Sequence, residues 1–143
     1  MKPIVCATRG GEACRRNQER AIDLAKERDA ELIFLYIVDP SLVGPVKESL
    51  AEVLNDEMAR MGRSLLRIAQ GRARERDVVA QVAVRYGPVQ QSIKDYLREV
   101  GASTLVIGTP RAGTPPRIFT PTEIQRFAQE VYEEMGVEVV VVA

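Results

Sequence analysis

The sequence predicts an α/β fold, a single domain over residues 1–143 in which helices cover both faces of a five-stranded parallel sheet as a three-layer α/β/α sandwich. Three observations carry this expectation. Apolar runs of strand length alternate with helix-period segments from end to end, the rhythm of repeated βαβ units. The runs ELIFLYIV and VEVVVV are close to continuously apolar, as strands covered on both faces should be. The length, 143 residues, fits one domain, which at this size buries about two-thirds of its unfolded surface.

Ile4–Thr8 reads as the first strand and Glu12 to about Arg28 as the first helix, with Ala21, Leu24 and Ala25 on one stripe. Glu31–Val38 is the second strand, stopped by Asp39-Pro40. From Val46 to about Arg74 a long helix carries Leu50, Val53, Leu54, Met58, Met61, Leu65, Ile68 and Ala69 at three- to four-residue spacing. Gly62 inside it weakens the helix by about 1 kcal/mol relative to Ala and marks a candidate bend. Val78–Tyr86, rich in β-branched residues, is the third strand. Gly87-Pro88 opens a helix to about Val100, with Pro88 at the first helical position and Val89, Ile93, Tyr96 and Leu97 on the buried face. Ser103–Gly108 is the fourth strand and Thr109–Phe119 a loop rich in Pro and Gly. Thr120-Pro121-Thr122-Glu123 has the form of a capping box opening a helix that Gly136 ends, and Val137–Val142 is the fifth strand.

Composition excludes several classes of function. Lys+Arg and Asp+Glu each number 20, so the formal net charge is zero. A dedicated nucleic-acid binder needs a basic surplus to neutralise phosphates. No run approaches the roughly 20 apolar residues of a membrane helix. The N-terminal apolar run is short for a signal peptide, so the expected setting is cytoplasmic. Cys6 and Cys14 have neither zinc nor redox spacing and are expected to be free, Cys6 buried and Cys14 partly so. The chain has no histidine, the commonest general base and metal ligand. It also lacks a Gly-x-Ser-x-Gly elbow and a Gly-x4-Gly-Lys-Ser/Thr loop. The expectation is therefore no catalytic residue, no metal and no enzyme.

Five features in order resemble the universal stress protein family: Ile4-Val5-Cys6-Ala7-Thr8; Ala25-Lys26 with Ala30-Glu31-Leu32; Val38-Asp39-Pro40; Tyr86-Gly87-Pro88; and Leu105-Val106-Ile107-Gly108-Thr109. The resemblance spans essentially the whole chain. It implies a sheet of order 3-2-1-4-5 (the adenine nucleotide alpha hydrolase-like fold), four helices, a homodimer, and a role in stress physiology exercised through protein partners. In such a sheet the ligand crevice lies past the carboxyl ends of the strands where strand order reverses. Ala7–Gly11 and Gly108–Thr122 bound it here.

Many members of that family bind ATP through Gly-x-x-Gly, nine residues, then Gly-Ser or Gly-Thr. Laid on this chain, the pattern places its first Gly on Gly108, its second on Arg111 and its third on Pro121, followed by Thr122. The glycines let backbone N–H groups approach phosphate oxygens. Pro121 has no N–H, and Arg111 disfavours positive φ. At about 1.5–3 kcal/mol per charge-assisted bond, losing one or two costs about tenfold to a thousandfold in affinity. The sequence leaves the cofactor open: the resemblance offers ATP with Mg²⁺, weakened here by Arg111 and Pro121, with Gly113 as a substitute contact if the loop is rerouted. Where ATP-binding relatives carry Asp, this chain has Arg9, followed by Gly10-Gly11. That cationic turn before a helix N-terminus favours an anion.

The candidate nucleotide or anion site comprises Ala7, Thr8, Arg9, Gly10, Val38, Asp39, Gly87, Gly108, Thr109, Arg111, Gly113 and Thr122. Each has a plainer reading: Gly10-Gly11 as a tight turn, Asp39-Pro40 as a strand stop, Thr122 as a first-turn residue, Arg111 and Arg117 as solvated loop charges. The last strand is a Val-rich edge, hazardous unless paired, so Val137, Val139, Val140 and Val141 are the expected dimer interface. Three functions compete. The first is a stress-response dimer with weak or absent ATP binding. The second is an ATP-binding regulatory module using Arg9, Gly108 and Thr122 around the phosphates. The third is a slow nucleotide hydrolase.

Overall fold

The computed structural model of the chain describes residues 2–8, 14–39, 48–109 and 121–142. Strands β1 (Ile4–Ala7), β2 (Leu32–Val38), β3 (Ala80–Tyr86), β4 (Thr104–Gly108) and β5 (Glu138–Val142) alternate with helices α1 (Arg15–Arg28), α2 (Glu48–Glu75), α3 (Val89–Val100) and α4 (Pro121–Met135). All pairings are parallel and the sheet order is β3-β2-β1-β4-β5. The expected order of strands is the observed one.

Helices α1 and α2 cover one face, where Ile22, Leu24, Leu66 and Ala69 meet Ile4, Cys6, Phe34 and Tyr36. Helices α3 and α4 cover the other, where Ile93, Leu97, Ile124 and Phe127 meet Val5, Ile33, Leu35 and Leu105. Every residue of β2 is buried, so its unbroken apolar run follows from having two covered faces. Each large apolar side chain so buried contributes roughly 1.5–3 kcal/mol.

Several boundaries differ from expectation for physical reasons. The expected start of α1 at Glu12 lies outside the described residues; Cys14 occupies its N-cap without a side-chain cap bond. Strand β3 begins at Ala80 because that is where β2 begins, Leu32 being its partner, and Val79 projects into solvent. Pro88 stands at the N-cap of α3, one residue ahead of its expected place. Its ψ of 132° is extended, and its carbonyl accepts the first helical bond from the Ser92 N–H at 2.9 Å. Gly62 makes room for a neighbour: a Cβ there would lie 2.7 Å from Tyr36 Cε1, so α2 rides directly on that ring.

Candidate functional site

The topology builds one crevice. From β1 the chain moves to β2 and β3 on one side, then crosses back to β4 on the other, so strand order reverses between β1 and β4. Their carboxyl ends bring Ala7 and Thr8 beside Gly108 and Thr109, given that Cys6 is level with Val106. The end of β2 adds Val38 and Asp39, and Gly87 follows β3 with φ of 129°, its N–H bonded to Val38 O at 3.0 Å. Thr122 sits exposed in the first turn of α4. Arg9, Gly10, Arg111, Gly113 and Arg117 lie outside the described residues.

The residues that are described are mostly spoken for by the protein itself. Thr8 is buried; its N–H donates to Leu35 O at 2.9 Å and its hydroxyl accepts from Gln18 Nε2 at 2.9 Å. Gln18 Oε1 in turn accepts from Arg72 Nη1 at 2.6 Å. A guanidinium only donates, so it fixes which end of the Gln18 amide faces it and therefore which end faces Thr8. Val38 is wholly buried, and Asp39 is buried and engaged. The Thr109 N–H donates to Val142 O at 2.8 Å, extending the β4–β5 ladder by a residue.

Gly108 has a structural reason of its own. A Cβ on it would stand 2.8 Å from both Cγ and Oδ1 of Asn17, whose carboxamide lies against the glycine from α1. Asn17 is 5% exposed. The first glycine of the expected phosphate loop is therefore required for packing α1 onto β4, whether or not a ligand is present.

Asn17, Gln18 and Arg72 are functional-site neighbours that the sequence pattern left on a polar helix surface. The available signal was spacing. Residues 17 and 18 precede Ala21 and Ile22 by four, so they continue the buried stripe of α1. Beneath the crevice, burial pushes the Cys6 thiol well above its ordinary range, with nearby Cys14 adding to the shift. A thiol held protonated is a poor nucleophile.

Among the described residues, no group of three or more His, Cys, Asp or Glu is placed to hold a metal ion. Nor is any described helix long and apolar enough to cross a membrane. A shallow groove does open away from the crevice, between α4 and β5, lined by Gln125, Gln129, Tyr132 and Val139. Val137 is buried within the protomer's own core, unlike the half-buried Val139, Val140 and Val141. It is therefore withdrawn from the edge to which the sequence reading assigned it.

Comparison with known proteins places this geometry. The family model described as the universal stress protein family matches residues 1–143. A universal stress protein of Methanocaldococcus jannaschii is 29% identical over 109 residues, 76% of this chain; the match spans 64% of that relative's length, a little under two thirds. Among solved structures, the universal stress protein UspA of Lactobacillus plantarum superposes with a TM-score of 0.77 at 20% identity, over 99% of this chain and 97% of the other. A universal stress protein in complex with cAMP superposes with a TM-score of 0.71 at 23% identity, over 99% and 97% of the two chains. With the family model matched from residue 1 to residue 143 and the fold shared with those structures, the chain belongs to the universal stress protein family.

Proposed function

We propose that the protein is a dimeric, non-catalytic stress-response module that acts by binding other proteins and grips a nucleoside triphosphate weakly. The observation that carries this reading is the start of α4. It begins at Pro121, where the family's phosphate loop has its third glycine. A helix N-terminus offers free N–H groups to an anion, and proline removes one of them at the place of closest approach. Arg111 replaces a second glycine, and Gly108 is already committed to Asn17. The usual backbone cradle is thus reduced, and no step of phosphoryl transfer is assigned to this site. The lack of histidine in the chain agrees with a non-catalytic role.

A second reading is favoured by the cAMP complex of a protein with the same fold. A nucleotide with one phosphate needs fewer main-chain donors than a triphosphate, so the crevice between Thr8, Asp39 and Gly108 accommodates a nucleoside monophosphate as a regulatory ligand. Calorimetry tests both readings. Wild-type protein should bind ATP with Mg²⁺ more weakly than about 100 µM. The double variant Arg111→Gly/Pro121→Gly should tighten ATP binding at least about tenfold, by restoring the N–H that Pro121 lacks and the positive φ that Arg111 disfavours. Micromolar ATP binding by the wild type overturns the first reading, and a lack of response to cAMP or AMP overturns the second.

A further inference from the structure

Six polar or charged side chains are buried among the described residues: Thr8, Asn17, Gln18, Asp39, Ser92 and Thr104. Buried polar groups normally have hydrogen-bond partners, and each exception needs a cause. Gln18 donates to Thr8 and accepts from Arg72, Ser92 Oγ donates to Tyr86 O, Thr104 Oγ1 accepts from Arg28, and Asp39 is engaged as well. Asn17 is the exception. It is 5% exposed, and its carboxamide meets no hydrogen-bond partner among the described residues. An apolar side chain of similar shape would fill the same space without leaving donors and an acceptor unmatched.

Asn17 stands in the first turn of α1 and reaches the carboxyl end of β4, where a Cβ on Gly108 would meet its Nδ2 before any other atom. Gly108 is partly exposed and ends β4 at the crevice, so the amide borders the space past the strands. With no partner to fix it, the amide can present its donor or its acceptor. Its surroundings favour an anion. A helix N-terminus leaves its first N–H groups without intrahelical partners and carries partial positive charge. The first turn of α1 has no acidic residue; it starts with Arg15 and Arg16, and Cys14 makes no side-chain cap bond. Arg15 is paired with Glu19, and Arg72 stands behind Gln18. Asp39 lies at the end of β2, with β1 between it and β4.

We infer that the Asn17 carboxamide is a ligand-binding group that donates from Nδ2 to a phosphate oxygen of a nucleotide seated in the crevice. The inference rests on the reading that the crevice takes a nucleotide, and it names a side chain that holds the phosphate. Oxygens of an ionised phosphate accept hydrogen bonds, and the N-terminus of α1 supplies positive potential on the same side. This role accounts for the polarity of a side chain whose packing against Gly108 alone does not need an amide. Asn17 thereby puts a side-chain donor beside the first glycine of a loop whose third position, Pro121, lacks a backbone one.

AMP, inorganic phosphate and adenosine are the probes. In calorimetry on the full chain, Asn17→Ala should bind AMP at least about tenfold more weakly than wild type, the loss of one hydrogen bond to a charged group. Adenosine, which lacks the phosphate, should bind the two proteins alike. Alanine suits a helix, so the variant should keep the wild-type circular dichroism. A second measurement needs no variant. The chain has two asparagines, Asn17 and Asn55, so protein grown with nitrogen-labelled asparagine shows two side-chain amide pairs in magnetic resonance spectra. AMP and inorganic phosphate should shift the Asn17 pair and leave that of Asn55, on α2, in place. Equal AMP affinity for wild type and Asn17→Ala, or an Asn17 pair that AMP binding does not move, overturns the inference and leaves the nucleotide reading standing. Equal weakening of adenosine and AMP also overturns it, because the contact is then with the nucleoside. A wild type that binds no AMP, or that answers to inorganic phosphate alone, overturns the inference together with the monophosphate reading beneath it.

Discussion

At the scale of single residues, Gly108 shows how one sequence signal conceals two causes. In the chain it matches the opening of a phosphate loop; in the fold it is where Asn17 lies against the backbone. The two roles separate by experiment. Gly108→Ala puts a methyl 2.8 Å from Asn17 Cγ, and overpacking of this kind costs about 1–3 kcal/mol, a melting point lower by several degrees. Asn17→Ala in the same chain removes the obstruction and should return most of that loss. A double-mutant cycle by thermal denaturation measures the coupling. Additive effects sink the packing account and return Gly108 to the ligand. Asn17 and Gln18 escaped a reading by residue type because amides usually mark a wet helix face. Burial here is set by position on the stripe.

At the scale of elements, α3 and α4 show a contact that no periodicity reports. Lys94 Nζ lies 3.1 Å from Glu130 Oε2 and 3.3 Å from Glu134 Oε2, with the Phe127 ring beneath it at 5.8 Å. Burial disfavours the ammonium, but hydrogen bonds to the two carboxylates outweigh it and raise the lysine pKa. A cation whose pKa is higher in the folded state stabilises the fold at neutral pH; that contribution disappears as pH climbs past the ordinary lysine range of about 10.4 and through the raised value. Lys94→Met should therefore cost about 1 kcal/mol at pH 7, leaving two acids facing each other. It should also flatten the decline in stability above about pH 10. An unchanged alkaline limb in urea titrations refutes the assignment. Element order was legible because β2 and β5 are apolar runs and α1 and α3 have clear stripes. The apolar spacing of α2 was legible too, but spacing alone does not say which side faces the sheet. Leu66 lies inside and Met61 outside because Gly62 sits on Tyr36.

At the scale of the whole molecule, the crevice could be located from topology, but the sequence of residues 9–13 and 110–120, which holds Arg9, Gly10, Arg111 and Gly113, carries no periodic pattern. The sheet edge is more informative. Thr109 donates to Val142 O and Glu138 donates to Ser103 O, so residues 138 and 142 turn their backbone groups toward β4. Alternation then turns the N–H and C=O of Val139 and Val141 outward, along the free edge. Two protomers pairing β5 to β5 across a two-fold axis satisfy those groups and remove an aggregation hazard. Val140→Lys is an impure test because that side chain also packs against the α1 face of the core. Val141→Pro acts through the backbone: its side chain packs on the α3–α4 face of the core, but the change deletes an outward donor, which an edge strand tolerates, and keeps the inner ladder. The variant should keep its fold by circular dichroism yet halve its mass in sedimentation. A Val141→Pro variant that keeps the wild-type mass shows that β5 is no interface.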